Sequence, residues 1–288
     1  MMNEKVVLTK DELDIFMEIL TARTGIVPRA SHLDGIKSYI ESRIAEKHLT
    51  VQEYKNDLIS DEVFFTELVN ESTVNETYFF REEKQFALLR DRIFPMWRAL
   101  KGNSELKIWS AACSSGEEAY SLAILAKSCS LNVTVTASDI NSNVLSRCSK
   151  GLYPASSLRQ VDGVSFHSLL ESFRQEDGKI AVPQELRSLV KIQKINLSEI
   201  DSPSYGKILP QNQDIVFLRN VFIYFSPELR SRILRTIADK CLGEGGVIFV
   251  SMSEIAQIDS VILPPSLEKV VDGNIFYLHK KTGGKDNG

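Results

Sequence analysis

Cysteine is scarce in this chain and scattered. Cys113, Cys129, Cys148 and Cys241 are the only four in 288 residues, with no C-x-x-C and no cysteine–histidine cluster. That leaves no spacing for a zinc or iron–sulfur site and no disulfide framework, so no metal is expected and reduced thiols are the default. Long apolar runs are missing, which excludes a membrane-spanning helix as a sequence expectation. The opening MMNEKVVLTKDELDIF is too charged, and its apolar run too short, for a secretory signal, so a cytoplasmic protein is expected. Excess positive charge is absent too. A net charge of -4 and a pI near 5.7 give no broad field for nucleic acid.

What is present is an ordinary globular composition, 43% hydrophobic and 25% charged, long enough for one large α/β domain and something smaller. Residues 1–72 read as a helical N-terminal domain. Thr9 and Glu12 form a capping-box pattern before Leu13, Phe16, Met17 and Leu20 at helical spacing. Further helices are expected over 31–47, 51–59 and 61–69. Residues 73–100 read as a linking loop and helix. From Leu106 the rhythm changes to strands alternating with helices. Strands are expected at 106–110, 133–138, 190–195, 215–218, 247–251 and 275–279, the last antiparallel. Helices are expected at 117–129, 142–150 and 227–241. The core domain so defined is 101–282, with a tail at 283–288. A segment at about 152–189 breaks the rhythm. Its Asp177-Gly178 turn, between Ser172-Phe173-Arg174 and Lys179-Ile180-Ala181-Val182, predicts a small inserted β element.

Four blocks carry chemistry. In Trp109-Ser110-Ala111-Ala112-Cys113-Ser114-Ser115-Gly116-Glu117-Glu118, small residues join a strand to a helix, the layout of a nucleotide-type cofactor site. Its single glycine is not a dinucleotide fingerprint, and Glu117 and Glu118 disfavour phosphate. They suit a ligand with hydroxyls or positive charge, such as the sulfonium S-adenosylmethionine. Asp139 ends the second strand, where a carboxylate accepts from ribose hydroxyls, although a helix N-cap is the plainer use of a lone aspartate. Asn196 and Leu197 end another strand, suited to an adenine edge and face. Arg219 and Asn220, before Val221-Phe222-Ile223-Tyr224-Phe225, stand where the fourth strand meets the ligand crevice. Upstream, Asn75, Thr77 and Arg81 surround Tyr78, Phe79 and Phe80. That aromatic trio can anchor a loop and aim Arg81 into a cleft, against the alternative of a solvated ion pair with Glu82 or Glu83.

The blocks NETYFFRE, WSAACSSGEEAYS, ASDI and FLRNVFIYF together resemble, in order and spacing, the CheR family of chemoreceptor glutamate O-methyltransferases. The resemblance implies an α/β class I methyltransferase core: a Rossmann-like, mostly parallel sheet with a terminal antiparallel strand. It also implies the inserted β subdomain, the all-α N-terminal domain, and S-adenosylmethionine as cofactor with S-adenosylhomocysteine as product. By resemblance, Asn75, Thr77, Arg81, Glu117, Glu118, Asp139, Asn196, Leu197, Asn220 and Val221 contact the cofactor, and Arg81 and Tyr224 stand nearest the methyl group. The implied partner is the cytoplasmic helical region of a methyl-accepting chemoreceptor, met by a monomer. The short, acidic turn 174–179 departs from the longer, glycine-rich loop of tail-tethered members, so action without tethering is expected. A methyltransferase for another protein or a small molecule, or a non-catalytic S-adenosylmethionine-binding scaffold, are the alternatives.

Overall fold

The computed structural model describes residues 6–159, 165–258 and 262–282. Four helices come first: α1 (Lys10–Thr24), α2 (Ala30–Glu46), α3 (Val51–Ser60) and α4 (Glu62–Ser72). The Thr9–Glu12 capping box forms, and Thr50 with Glu53 makes a second one ahead of α3. Phe16, Ile36, Ile40, Ile44, Tyr54, Leu58 and Leu68 from these helices bury one shared core. A single helix expected up to about Leu100 is instead α5 (Glu83–Leu88), a π-helical turn at Leu89–Ile93, and α6 (Phe94–Lys101). Pro95 gives the reason: it has no N–H, and its ring would strike a carbonyl one turn back, so the ladder widens.

The core follows: β1 (Leu106–Ala111), α7 (Glu117–Ser128), β2 (Val133–Asp139), α8 (Ser142–Lys150), β3 (Leu152–Tyr153), β4 (Ile180–Ala181), α9 (Gln184–Arg187), β5 (Val190–Lys194), β6 (Gln213–Leu218), α10 (Pro227–Thr236), β7 (Leu242–Phe249), β8 (Leu267–Asp272) and β9 (Ile275–Lys280). One seven-stranded sheet runs β5-β2-β1-β6-β7-β9-β8. The first five of these strands are parallel, and β9 is antiparallel to both of its neighbours. Two large cores cover the two faces of the sheet, and alternate residues of β1 point into each: Leu106 and Ile108 into one, Trp109 and Ala111 into the other. The chain winds outward from β1 to β2 and β5 on one side and to β6 and β7 on the other. That reversal opens a crevice beyond the C-terminal ends of β1 and β6, the ligand position of open α/β sheets.

The inserted element differs from its expected form. Ser172 and Phe173 close a 3-10 helix at His167–Phe173, and Arg174 makes only an isolated bridge to Ile180. β4 pairs instead with β3. The edge strand β8 has no counterpart among the expected strands, because only Leu267 in it is buried and no alternation marks it.

The first helices dock at the crevice end of the sheet. Gly25 turns the chain after α1 at φ 69°, and a Cβ there would lie 2.2 Å from Leu229 Cδ2 of α10. Val27 N–H donates to the Tyr224 carbonyl at 3.0 Å, and Asn196 Nδ2 donates to the Arg23 carbonyl at 2.8 Å. Gly116, at φ 96°, starts α7, and a Cβ there would sit 2.3 Å from Cys148 Sγ. Gly116→Ala is therefore expected to lower stability by about 2–4 kcal/mol, from overpacking plus left-handed strain, read by urea unfolding. A loss below about 1 kcal/mol would show that α7 and α8 part readily at this contact.

Candidate functional site

The crevice floor is built from loops that leave parallel strands. Among the described residues, five of the eight non-glycine positions with positive φ lie in the segments around it: Phe80, Glu82, Ala112, Ser114 and Asn220. Such backbone costs free energy and persists only where surrounding bonds enforce it. After β1, Cys113 N–H donates to the Ser138 carbonyl at 2.8 Å, and Ser114 N–H to Asp139 Oδ2 at 2.9 Å. Asp139 Oδ1 accepts from Asn141 N–H at 2.9 Å. Asp139 is not the N-cap of α8; Asn141 does that work, accepting from the amides of Asn143 and Val144. Burial pushes the Asp139 carboxyl up, while the amides of Asn141, Ser114 and Ile140 pull it down. It makes no ion pair among the described residues, and it faces the crevice with lone pairs to spare.

The two adjacent glutamates part company. Glu118 lines the crevice, and its carboxylate accepts from Ser110 Oγ at 2.7 Å and from Arg219 Nε at 2.7 Å. Glu117 is turned away from the crevice, contrary to its expected place there. Its oxygens accept from Ser115 Oγ at 2.7 Å and Ser157 Oγ at 3.0 Å, and burial pushes its carboxyl up. Residues adjacent on a helix point in different directions, so only one of two neighbours can face a ligand. The acidic pair expected at the ligand is thus a single carboxylate, itself already matched by Arg219.

Arg219 is nearly inaccessible. Its Nη1 donates to the Arg81 carbonyl at 2.8 Å and to Gln85 Oε1 at 2.9 Å, and its guanidinium lies 5.5 Å from the Phe86 ring and 5.0 Å from the Phe217 ring. The next residue, Asn220, is held at φ 57°. Its N–H donates to Glu254 Oε2 at 2.7 Å, and Ile223 N–H donates to Glu254 Oε1 at 3.3 Å. Glu254 is fully buried, and burial pushes its carboxyl up against the pull of these amides. Its carboxylate fixes the loop that carries Asn220, Val221 and Tyr224.

The 73–82 loop forms the far wall. Phe79 and Phe80 are its anchors: both are wholly buried, and Phe80 stacks on Phe166 at 5.0 Å. Tyr78 does not join them. Its ring has two guanidiniums close by, Arg159 at 4.8 Å and Arg81 at 5.7 Å from its centroid. Arg81 Nη1 donates to the Glu76 carbonyl at 2.8 Å, and the Glu76 carboxylate pairs with Arg159 at 2.6 Å, which holds that carboxyl below its usual range. Arg81 makes no ion pair with Glu82 or Glu83. Asn75 is tied to the loop through its carbonyl, which accepts from Ser114 Oγ at 3.2 Å. On the opposite wall the Asn196 amide caps a 3-10 turn, accepting from Ser198 N–H and Ser198 Oγ. With one N–H given to Arg23, a single donor of that amide is left for the crevice.

Asn75, Thr77, Arg81, Glu118, Asp139, Asn196, Leu197, Asn220, Val221 and Tyr224 all line one crevice of about 910 Å³, its open mouth included. A family model described as "CheR methyltransferase, SAM binding domain" matches residues 75–262, which span every one of these positions. The chain belongs to the CheR methyltransferase family. It is similar to a chemotaxis protein methyltransferase of Borreliella burgdorferi, 32% identical over 80% of this chain and 83% of that one. Chemotaxis protein methyltransferase 2 of Pseudomonas aeruginosa is 33% identical over 88% and 89%. Among solved structures, the rRNA methyltransferase aviRa from Streptomyces viridochromogenes gives a TM-score of 0.42 at 17% identity, over 74% of this chain and 88% of that one.

This CheR family member is accordingly an S-adenosylmethionine-dependent methyltransferase. Its crevice fits the cofactor on three observations. Asp139 offers a buried, unpaired carboxylate for hydroxyl donors. Ala112 and Ser114 hold left-handed backbone and small side chains where a ligand must come close. Ile140, Ile195 and Leu197 give an apolar wall for an aromatic base. Two parts of the CheR site escaped sequence reasoning. Glu254 lies in the loop that leaves β7 on the crevice side of the sheet, a position that was its only signal. Thr24, the last residue of α1, and Ile26, in the turn after it, line the crevice although nothing local in the sequence marks them.

Proposed function

We propose that this chain forms methyl esters on glutamate side chains in the cytoplasmic helical region of a methyl-accepting chemoreceptor, acting in the cytoplasm as a monomer and without a tail tether. When bound, S-adenosylmethionine supplies a methyl group on a sulfonium, which a carboxylate oxygen takes as the C–S bond breaks and its electron pair stays on sulfur. Asp139 would hold ribose hydroxyls, and Leu197 and the remaining Asn196 donor the adenine. Asn75, Thr77, Glu118, Asn220 and Val221 would line the rest of the cofactor. The single observation that supports the reading is that Arg81 and Tyr224 line the same crevice, with no histidine among its lining residues. A carboxylate acceptor is already ionised at neutral pH and needs no general base. It needs alignment, and a fixed guanidinium aligns a carboxylate by charge-assisted hydrogen bonds. The grip must stay modest, because the acceptor loses its charge on reaction. The lack of a tether is supported by β3 and β4, only two residues each, and by the tight turn at Asp177-Gly178.

Arg81→Ala is expected to lower turnover about 100-fold, with binding of S-adenosylhomocysteine changed far less and thermal unfolding near wild type. Steady-state rates on a chemoreceptor fragment read the first, and calorimetry the others. Unchanged turnover would remove Arg81 from the reaction.

A further inference from the structure

Arg81 sits between two residues with left-handed backbone, Phe80 at φ 56° and Glu82 at φ 60°. Residues other than glycine keep that conformation only where contacts enforce it. For Phe80 the enforcement is burial: its ring is wholly inaccessible, and its N–H donates to Ser121 Oγ at 2.9 Å. Glu82 has no such seat, since its side chain is 22% exposed. It stands at the N-cap of α5, yet its carboxylate makes no capping bond to that helix. It reaches instead to the loop that leaves β7, 169 residues further along the chain. Oε1 accepts from Ser251 Oγ at 2.5 Å, and Oε2 accepts from Met252 N–H at 3.1 Å. Arg219 Nη1 stands 3.8 Å from Oε2.

The same loop holds the tyrosine side of the crevice. Glu254, three residues beyond Ser251, accepts from the amides of Asn220 and Ile223, in the loop that carries Tyr224. Ser251 N–H closes onto Glu254 Oε2 at 3.4 Å. The short turn 251–254 is thus tied by one carboxylate to the loop bearing Arg81, and by another to the loop bearing Tyr224. Arg81 and Tyr224 line the crevice, whereas Glu82, Ser251 and Met252 do not.

We infer that Glu82 is a positioning residue for methyl transfer, which sets the Arg81 guanidinium against Tyr224 by fastening the backbone beside Arg81 to the loop after β7. The inference rests on the reading above, in which Arg81 aligns the acceptor carboxylate. Glu82 touches neither cofactor nor acceptor, so its effect on turnover passes through Arg81. Reach, more than charge, is what the contact needs. Glu82→Gln keeps the length: its amide oxygen can take the Met252 N–H, and its amide nitrogen can donate to the Ser251 hydroxyl. That hydroxyl then turns to donate to Ser253 Oγ, 3.0 Å away. Glu82→Asp keeps the charge and falls one methylene short.

Rates are read as base-released methanol from methyl-labelled S-adenosylmethionine, with the full chain and a chemoreceptor cytoplasmic fragment as acceptor. Glu82→Ala should lower kcat about tenfold, with KM for the fragment and affinity for S-adenosylhomocysteine within about twofold of wild type. Glu82→Gln should stay within about threefold of wild-type kcat, and Glu82→Asp should fall as far as alanine. Glu82→Gly relieves the left-handed strain and should unfold at a higher temperature than Glu82→Ala, yet turn over as slowly. The double variant Arg81→Ala with Glu82→Ala should be no slower than Arg81→Ala alone, because the two losses are one loss. An unchanged kcat in Glu82→Ala, or losses that multiply in the double variant, overturns the inference and leaves the methylation reading standing. So does turnover that recovers with stability in Glu82→Gly, a matching loss of S-adenosylhomocysteine affinity, or an active Glu82→Asp beside an inactive Glu82→Gln. Wild-type enzyme that binds the cofactor and esterifies no fragment overturns both.

Discussion

Arg219→Ala loses about 3–5 kcal/mol of folding stability, the cost of stranding one member of a buried ion pair. The side chain of Arg219 is 1% exposed and that of Glu118 12%. Removing the guanidinium takes away the ion-pair partner of Glu118 and the donor to Glu118 Oε2, Gln85 Oε1 and the Arg81 carbonyl, and opens a gap between Phe86 and Phe217. Each loss falls on a different part of the site: Glu118 on α7, Gln85 on α5 and Arg81 on the wall loop. Cofactor affinity should fall together with stability. Arg219→Lys keeps the charge but not the fork of donors, and should fall between wild type and alanine. Combining Arg219→Met with Glu118→Gln should cost less than the sum of the single changes, because no buried charge is then left alone. Urea unfolding reads all five variants, the two single changes included, and a loss under 1 kcal/mol for Arg219→Ala would show that water reaches Glu118 in the folded chain.

Asp139→Ala should lower affinity for S-adenosylhomocysteine by about 100-fold or more. Two hydroxyl-to-carboxylate bonds, at about 1.5–3 kcal/mol each, set that scale. Part of the loss is indirect, since Asp139 also accepts from Ser114 N–H and ties the β1 loop to the end of β2. Calorimetric titration separates the two effects when paired with thermal unfolding. If affinity falls while the fold keeps most of its stability, the carboxylate is a ligand contact. If binding survives unchanged, the ribose lies elsewhere.

The alternation of strands and helices after Leu106 was legible because short apolar and β-branched stretches alternate there with longer runs of helical character. β1, β2 and β6 begin and end within a residue or two of their expected bounds. The edge strand β8 was not legible, since a half-solvated edge needs no apolar face. The π-helical turn at Leu89–Ile93 was signalled by Pro95, but a proline alone does not say whether a helix ends or widens. At the site, the loops after β1, β2 and β6 could be found because ligands of this sheet type meet strand ends. Glu117 was misplaced because sequence adjacency says nothing about which of two helical neighbours faces inward. The part of the crevice wall made by Thr24 and Ile26 depends on how α1 docks on α10, a long-range contact that no local pattern encodes.

The most direct test of the central claim follows a labelled methyl group. The full chain is incubated with methyl-labelled S-adenosylmethionine and a chemoreceptor cytoplasmic fragment, and the fragment is then treated with mild base. The account predicts label on glutamate side chains, released as methanol, and lost when those glutamates are replaced by glutamine. Label that resists base, or no label on the fragment while the chain binds the cofactor, would contradict it.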